Sequence, residues 1–439
     1  MKNKQALFFL FSANSVSGMA QGISMIAIPW YFSNQLEKPA LFGKIYLIIA
    51  FLSLFWGLYS GTLIDRFNRK NIMQVYTLVG TVFLSAVAVV GMLNGYVPAL
   101  LVAMVFGFTF LIYNIHYPNL YAFLQEITEP KNYSRITSYI EIQGQTTTAF
   151  AGALAAILLA GTKDGTLNLL GFAIPVGFEI QPWSLQKVFM LNASTYLIAF
   201  FLVSQIRFVP FSTRVKEIQT VYERVRTGLI FLRKNPLLFL FGNATFGVFL
   251  GVLISNFYLK PIYIKQHLLQ AADVYAAYEM YFAFGSVLAG LAITRIFYGF
   301  TMVKAVIILS VCGGAIFVFN SFNTNLFWFY AVTFLLGLCN AGIRIMRVTY
   351  FFKNIPNQLI GRSSSVFMTM NVLFRIVIVA LISNAFFTTE GRVVWVYFVF
   401  GIVVILAALS LIPFYKKLVN LKPELPDALQ DLLEKDLKQ

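Results

Sequence analysis

Four charged residues interrupt long apolar runs of this sequence, and their types could do chemistry there: Glu141, Glu279, Arg344 and Arg375. A charge near the middle of a bilayer costs at least about 2.5–3.5 kcal/mol, so each needs a partner or a function. A carboxyl group can alternate between protonated and charged forms, whereas a guanidinium stays charged and holds oxyanions with its planar fork. We predict that Glu141, with Glu279 in reserve, carries a proton. We also predict that Arg344 and Arg375 line a cavity, in which Arg375 binds an anionic group. The alternative is that these acids and bases pair with each other and serve only the fold.

Uncharged polar residues in the same runs recur at helical spacing. Asn14, Ser17 and Gln21 lie on one face of the first run, at i, i+3 and i+7. Gln145 shares a face of the fifth run with Glu141. We predict that the uncharged four line a polar cavity, and hydrogen bonding between neighbouring helices is the alternative for each of them.

The fourth apolar run contributes a histidine and two tyrosines. His116 is a third candidate for proton transfer, because an unperturbed imidazole titrates near neutral pH, although a buried histidine is more often simply hydrogen-bonded. Tyr113 and Tyr117 share one helical face. Lining a cavity and packing against a neighbouring helix are equally consistent with that pattern.

Transmembrane helices are the elements that must position these residues. The chain has 439 residues, of which 59% are hydrophobic and 11% charged, and its mean hydropathy is +0.76. This composition belongs to a chain whose solvent is mostly lipid. About 20 apolar residues cross the hydrocarbon core as a helix, and runs of that length follow one another from residues 5–32 to residues 393–415. The predicted fold class is an all-α membrane protein with 12 transmembrane helices.

The basic residues predict the orientation of these helices. Cytoplasmic segments of membrane proteins accumulate Lys and Arg, and most of the 33 Lys and Arg fall in such segments when both termini are cytoplasmic. Topology and anionic lipid then account for the net charge of +16, so we expect no nucleic acid partner. We expect a monomer in a bacterial cytoplasmic (inner) membrane.

The order of the runs predicts four regions. Residues 1–207 form an N-terminal six-helix bundle, 208–235 a cytoplasmic amphipathic linker, 236–416 a C-terminal six-helix bundle and 417–439 a cytoplasmic tail. In the linker, Ile218, Val221, Val225 and Leu232 lie on one face and basic residues on the other. That pattern is typical of a helix at a membrane surface.

A charged loop between the second and third runs is the most specific motif. The stretch GTLIDRFNRK resembles the signature loop of the major facilitator superfamily at these positions: Gly61, Asp65, Arg66, Arg69 and Lys70. The superfamily usually has a glycine where this chain has Asn68, and Asn tolerates the left-handed backbone conformation that such a turn can need. The resemblance implies two pseudo-symmetric six-helix bundles and transport by alternating access.

The same loop is predicted to act as a cytoplasmic gate. Its acid, Asp65, is expected to face the start of the eleventh helix, where the helix dipole stabilises a carboxylate. Arg66 or Arg69 is expected to pair with an acid at the end of the fourth helix, Glu126 or Glu129. A weaker copy of the loop, GLAITRIFYG, stands in the second half of the chain and supports the internal repeat.

Finer features resemble the branch of the superfamily that contains bacterial macrolide-efflux and enterobactin-export proteins. The stretches YPNLYAFLQEITEPKNYSRITS and VYERVRTGLIFLRKNPLL carry this resemblance. It implies an ion-driven exporter of an amphiphilic small molecule. Exporters of the wider superfamily often have a Gly-Pro pair in the fifth helix, and here AFAGALAA keeps Gly152 without the proline. Import therefore stays open.

Motifs of enzymes are missing from the sequence. It has no phosphate-binding Gly-Lys-Ser/Thr loop, no HExxH, no Cys/His cluster and no nucleophile elbow. Cys312 and Cys339 both fall in apolar runs and indicate neither a disulfide framework nor a metal site. We expect no catalytic activity, no cofactor and no metal.

Three functions are consistent with these observations. The first is a proton-coupled exporter, an antiporter, of an amphiphilic or anionic small molecule that is drug-like or siderophore-like. The second is an importer or facilitator of an anionic metabolite or siderophore. The third is a lipid-handling or sensing membrane protein that does not pump. The first two need a small-molecule substrate, and the first also needs a gradient of protons or of another ion.

Overall fold

The computed structural model describes residues 3–129, 132–162, 166–169, 172–175, 177, 179–209 and 221–422. Within these residues, twelve helical segments are long and apolar enough to cross a membrane. This confirms the predicted fold class and the predicted number of spans.

The first six spans are built from α1 (Lys4–Trp30), α2 (Pro39–Arg66), α3 (Arg69–Asn94), α4 (Ala99–Ile127), α5 (Tyr133–Ala155) and α6 (Leu185–Ser204). Short π-helical segments extend α1 over Tyr31–Gln35 and α5 over Ala156–Ala160. Between α5 and α6, strand β1 (Thr166–Leu169) pairs antiparallel with β2 (Phe172–Pro175). The sequence analysis did not predict this hairpin, because strands of four residues are too short to show a clear alternation.

The second half contains more helices because its seventh and twelfth spans are interrupted and because further short helices lie outside the spans. Its helices are α7 (Val221–Lys234), α8 (Pro236–Thr245), α9 (Gly247–Ile254), α10 (Lys260–Gln266), α11 (Ala272–Ile296), α12 (Met302–Asn320), α13 (Leu326–Asn354), α14 (Asn357–Ile382), α15 (Ala385–Thr388), α16 (Val393–Leu409) and α17 (Tyr415–Val419). The seventh span joins α8, α9, a π-helical segment over Ser255–Leu259 and α10.

The helices group into two compact units. The first lies within Met1–Glu217 and Lys260–Ala283, and the second within Ile218–Leu259 and Phe284–Gln439. Part of the first unit's core is an apolar cluster to which α1, α3, α4, α5 and α6 all contribute. Leu10, Met73 and Phe123 are representative members, each at most 2% exposed.

Close backbone approach holds the helices of the second unit together. A Cβ atom on Gly285 of α11 would lie 1.9 Å from the backbone oxygen of Phe334 in α13, so only glycine fits there. Small residues at helix interfaces allow such contacts in membrane proteins, where van der Waals packing is a main source of helix association.

The helix α7 lies in the predicted linker and is amphipathic. Phe231 and Leu232 are at most 1% exposed, whereas Arg226 and Arg233 face solvent. A Cβ on Gly228 would lie 2.3 Å from the carbonyl oxygen of Arg362, so α7 packs directly on α14. Its apolar face therefore covers another helix of the second unit, and a membrane surface is not needed to bury it.

Candidate functional site

A cavity of about 790 Å³ opens between α1 and α5 within the first unit. Its lining residues are Lys4, Leu7, Phe8, Phe11, Ser15 and Met19 from α1, and Ile136, Tyr139, Ile142, Gln143, Thr146, Thr147 and Phe150 from α5. On both helices these residues recur every three or four positions, which places them on one face. The volume is typical of a site for a small organic ligand.

The two helices are parallel and in a fixed register. Asn14 bonds Gln143, and a Cβ on Gly18 would lie 3.1 Å from the Thr147 side chain. Both pairs are 129 residues apart in sequence. Because the register is constant, the start of the cavity lies beside Lys4 and the far end beside Phe150.

A chain of hydrogen bonds crosses four helices and ends at this cavity. The Tyr76 hydroxyl of α3 lies 2.6 Å from Nδ1 of His116 in α4, and Nε2 of His116 lies 2.8 Å from Oδ1 of Asn14 in α1. Nδ2 of Asn14 donates to Oε1 of Gln143 at 3.1 Å. Nε2 of Gln143 then donates to the Ser15 hydroxyl. Gln143 and Ser15 line the cavity.

One backbone carbonyl fixes the direction of the bonds that join Gln143, Asn14 and His116. The amide of Gln143 places a polar atom 2.6 Å from the Phe11 carbonyl oxygen, and that atom must be nitrogen because a carbonyl only accepts. The other end of Gln143 is then oxygen and accepts from Asn14. The Asn14 oxygen therefore faces His116, so Nε2 of His116 must carry hydrogen.

Because of these bond directions, a change in the protonation of His116 does not alter its hydrogen bond toward the cavity. Nε2 of His116 donates to Asn14 whether the ring is neutral or charged, so a second proton can be added only at Nδ1. That nitrogen faces Tyr76, whose hydroxyl can donate to the neutral ring or accept from the charged one. Proton uptake by His116 would thus act on α3 rather than on the cavity.

The signature loop makes one of the contacts that were predicted for it from the sequence. Nη1 of Arg69 lies 2.9 Å from Oε2 of Glu126, and their side chains are 17% and 8% exposed. This pair is one of those expected from the sequence. Nζ of Lys70 bonds the backbone oxygens of Ser204 and Ile206, each at 2.9 Å, and so caps the end of α6.

The backbone of Asn68 is not left-handed. Its backbone is extended, with φ −67° and ψ 125°, and its side chain accepts from the Lys70 backbone N–H as the N-cap of α3. Asparagine therefore stands there for its capping oxygen, and no left-handed conformation is needed. Arg66 is exposed. Gly61 and Asp65 fall within α2, but the Asp65 side chain lies outside the described part of the structure.

The remaining predicted residues are dispersed. Glu141 belongs to α5, and its side chain also lies outside the described part. Among the predicted cavity residues, Asn14 is one hydrogen bond away from the cavity lining. Ser17 is buried and donates to the Ala13 carbonyl of its own helix at 2.8 Å. Gln21 and Gln145 are half-buried and are not lining residues.

The other residues that were predicted to line a substrate cavity are two tyrosines and two arginines, and none of them lines the α1–α5 cavity. The rings of Tyr113 and Tyr117 pack together, with centroids 4.7 Å apart. Arg344 is exposed, whereas Arg375 is 6% exposed. The Arg375 role in binding an anion stays a prediction.

Glu279 has a basic neighbour that the sequence analysis did not connect with it. Its charge interacts with that of Lys260, which is fully buried in the same unit. The Lys260 ammonium also lies 4.4 Å from the ring centroid of Tyr278 and 5.4 Å from that of Tyr263. If Glu279 serves only the fold, Lys260 is therefore the basic residue with which it pairs.

The break in the seventh span is held by an arginine. The end of α8 leaves the Thr245 carbonyl without its helical partner, and Nη1 of Arg347 donates to that oxygen at 3.0 Å. The Arg347 guanidinium also lies 3.6 Å from the ring centroid of Phe246. The residue is 5% exposed. It thus satisfies the backbone at the break and stacks on the residue that forms it.

Several of these residues could not be found from sequence alone. The contact of Gln143 with Asn14 joins residues that are 129 positions apart, and nothing in a single sequence pairs them. Arg347 bonds a backbone oxygen, and such a partner cannot be identified from the sequence. Among the described residues, no cluster of three or more His, Cys, Asp or Glu could hold a metal ion.

The chain matches the family model described as Major Facilitator Superfamily over residues 10–379. The fold is similar to that of the nucleoside transporter NupG, with 13% identity and a TM-score of 0.66 over 94% of this chain and 99% of that one. It is similar to a D-xylose-proton symporter, with 14% identity and a TM-score of 0.65 over 92% and 96% of the two chains. It is also similar to the POT family transporter PepTSo, with 13% identity and a TM-score of 0.63 over 95% of this chain and 99% of that one. No curated protein sequence matches the chain.

Proposed function

Because this chain belongs to the major facilitator superfamily and is therefore a membrane transporter, we propose that it exports an amphiphilic small molecule in exchange for protons. The substrate enters the α1–α5 cavity, and alternating access moves it across the membrane. The cavity carries this proposal: it has about 790 Å³, aromatic and aliphatic walls, and hydroxyl and amide groups along one part. A site of this kind suits a molecule with an apolar body and a few polar groups.

Export rests on the resemblance of two sequence stretches to the macrolide-efflux and enterobactin-export branch. Proton coupling rests on the acids within the spans, Glu141 and Glu279, of which Glu279 interacts with Lys260. Import of an anionic metabolite is the second candidate. It is favoured by the fifth span, where Gly152 has no following proline and its backbone instead approaches Met280 closely.

Proteoliposomes with an imposed pH gradient test the proposal. A panel of drug-like and siderophore-like compounds is offered to inside-out vesicles, and accumulation that requires an acidic lumen is the expected result. Accumulation that is indifferent to the gradient would support a facilitator, and the absence of solute flux for the whole panel would contradict transport of this class.

The coupling acids are tested separately in the same vesicles. Glu141→Gln should abolish gradient-driven uptake and preserve exchange of bound substrate, because the neutral amide cannot give up a proton. Glu279→Gln is the second variant, and Glu223→Gln on the exposed surface of α7 is the matched control. Gradient-driven uptake that persists in both Glu141→Gln and Glu279→Gln would show that these acids do not couple transport to protons.

The proposed cellular context is a bacterial cytoplasmic membrane, with a monomer whose two termini face the cytoplasm. Fusions of a reporter that is active only in the cytoplasm, placed at each terminus, test this orientation. Mass measurement of the detergent-solubilised protein tests the monomer.

A further inference from the structure

We propose that the α1–α5 cavity selects an elongated anionic amphiphile, with its anionic group at Lys4 and a hydrogen-bond acceptor at Ser15. The apolar body of the ligand then lies against the aromatic side chains between these two residues. This selection rests on the proposed function in one respect, namely that the cavity is the transport site.

The charge of the cavity wall is the first argument. Lys4 is the one charged side chain among the lining residues that the structure describes. Its side chain is exposed, and an ammonium group only donates. A ligand group next to it is therefore favoured when it is an anion, and a cation is repelled.

The direction of the hydrogen-bond chain is the second argument. Both ends of the Gln143 amide are occupied, because its oxygen accepts from Asn14 and its nitrogen donates to Ser15 and to the Phe11 carbonyl. The Ser15 hydroxyl receives one of these bonds, so its own proton is left to donate. Ser15 thus presents a donor to the cavity, and Gln143 is the positioning residue that orients it.

The spacing along α1 is the third argument. Lys4 and Ser15 are eleven positions apart, which corresponds to about 16 Å along a helix at 1.5 Å per residue. Between them the wall is apolar, with Leu7, Phe8 and Phe11 on α1. A ligand that reaches both ends has a polar group at each end and an apolar segment between them.

Binding of a matched set of fluorescent ligands tests this selection. The ligands are 11-(dansylamino)undecanoate, its methyl ester, and the corresponding trimethylammonium compound, which share the dansyl sulfonyl acceptor and the chain length. Full-length protein in lipid nanodiscs is titrated, and empty nanodiscs give the background. We expect the carboxylate to bind the wild type about tenfold more tightly than the ester, and the cation to bind most weakly.

Variants of the lysine identify the residue that reads the charge. Lys4→Ala should reduce affinity for the carboxylate to that for the ester, whereas Lys4→Arg should keep the preference within about twofold. Lys44→Ala is the matched control, since it removes an exposed lysine of α2 that does not line the cavity. Unchanged preference for the carboxylate in Lys4→Ala, or a wild-type preference for the cation, would overturn the proposal.

Chain length tests the second contact. Wild type should bind the undecanoate several-fold more tightly than 5-(dansylamino)pentanoate, which is too short to reach from Lys4 to Ser15. Ser15→Ala and Gln143→Leu should weaken this dependence on chain length, and Ser15→Thr should restore it. The same length dependence in wild type and Ser15→Ala would overturn the role of Ser15, because a general loss of packing would weaken both ligands alike.

The source of the anion is distinguished by the lipid of the nanodisc. Displacement of the undecanoate when phosphatidylglycerol replaces neutral lipid would support a membrane lipid as the anionic amphiphile, and retained binding would support a free solute. None of these measurements uses a gradient or flux. Charge-selective binding without transport would therefore contradict the proposed function alone, whereas transport of neutral and anionic compounds at equal affinity would contradict this selection alone.

Discussion

The two units use their buried polar groups in different ways. In the first unit, the hydrogen bonds from Tyr76 to Ser15 end at an open cavity of about 790 Å³. In the second, Arg347 is enclosed and bonds the backbone of its own unit. A void near Ser255 there measures only about 10 Å³, barely the volume that one water molecule needs. The polar chain in the first unit is thus open to a ligand at one end, whereas Arg347 in the second unit satisfies a backbone carbonyl at a helix break.

The contrast is sharpest between the first and seventh spans, which open the two halves of the sequence repeat. The first contains one helix of 27 residues, α1, whereas the seventh begins with helices of 10 and 8 residues, α8 and α9. A broken helix in a membrane must have its freed carbonyl groups satisfied by other parts of the protein. Repetition of the helix order therefore does not fix where polar groups are used.

Replacement of Arg347 should have the largest effect on stability. Arg347→Ala removes a charged hydrogen bond to Thr245 and the contact with the Phe246 ring, which together correspond to about 2–4 kcal/mol of unfolding free energy. Equilibrium unfolding in mixed micelles of dodecylmaltoside and dodecyl sulfate measures this loss. Charge selectivity of ligand binding in the first unit should not change.

A control for this variant lies one turn away. Arg344→Ala removes an exposed guanidinium of the same helix and should lower the unfolding free energy by less than about 1 kcal/mol. Equal losses in the two variants would contradict the role of Arg347 at the helix break.

The pair of Arg69 and Glu126 should have the second largest effect. Both side chains are mostly buried, so the bond lies between the exposed and the fully buried cases, and we expect a coupling free energy of about 1–2 kcal/mol. A double-mutant cycle with Arg69→Gln and Glu126→Gln measures it by the same unfolding assay. A coupling near zero would mean that the loop does not depend on this ion pair.

Sequence reasoning predicted the fold because its signals are local. Twelve apolar runs are visible without any knowledge of contacts, and GTLIDRFNRK identifies the family through residues that are adjacent in the chain. The same locality explains why the cytoplasmic ion pair was predicted. Arg69 and Glu126 stand at the ends of helices that the sequence identifies, and few oppositely charged residues are available there to pair with them.

The site was harder to predict from the sequence, because it depends on how each helix is rotated about its axis and on contacts between residues that are far apart in the chain. Helical periodicity predicted polar faces on α1 and α5, but the face of α5 was predicted through Gln145, whereas the structure brings Gln143 to Asn14. A shift of two positions turns a helix by roughly 200°. Lys4 was not among the predicted cavity residues, since nothing local in the sequence indicates a cavity beside it.

The two glutamines of α5 therefore give a direct comparison between the sequence and the structure. Gln143→Leu breaks bonds to Asn14, Ser15 and the Phe11 carbonyl, and should lower the unfolding free energy by about 1 kcal/mol and weaken binding of the dansyl undecanoate about tenfold. Gln145→Leu, which leaves that chain intact, should change both by much less. A larger effect of Gln145→Leu on ligand binding would favour the face that the sequence predicted.

The smallest effect is expected where the first unit is exposed. Nζ of Lys265 lies 2.9 Å from Oε1 of Glu37 and 3.2 Å from the Asn34 oxygen, but the Glu37 side chain is 75% exposed. Water screens such a pair, so Glu37→Gln should lower the unfolding free energy by about 0.5 kcal/mol or less, and high salt should remove the difference. Glu37 also has a positive φ of 54°, which costs most residues about 1 kcal/mol and glycine almost nothing. Glu37→Gly should then be at least as stable as Glu37→Gln although both lose the ion pair. A loss above about 2 kcal/mol in Glu37→Gln would show that this exposed contact is as important to the first unit as Arg347 is to the second.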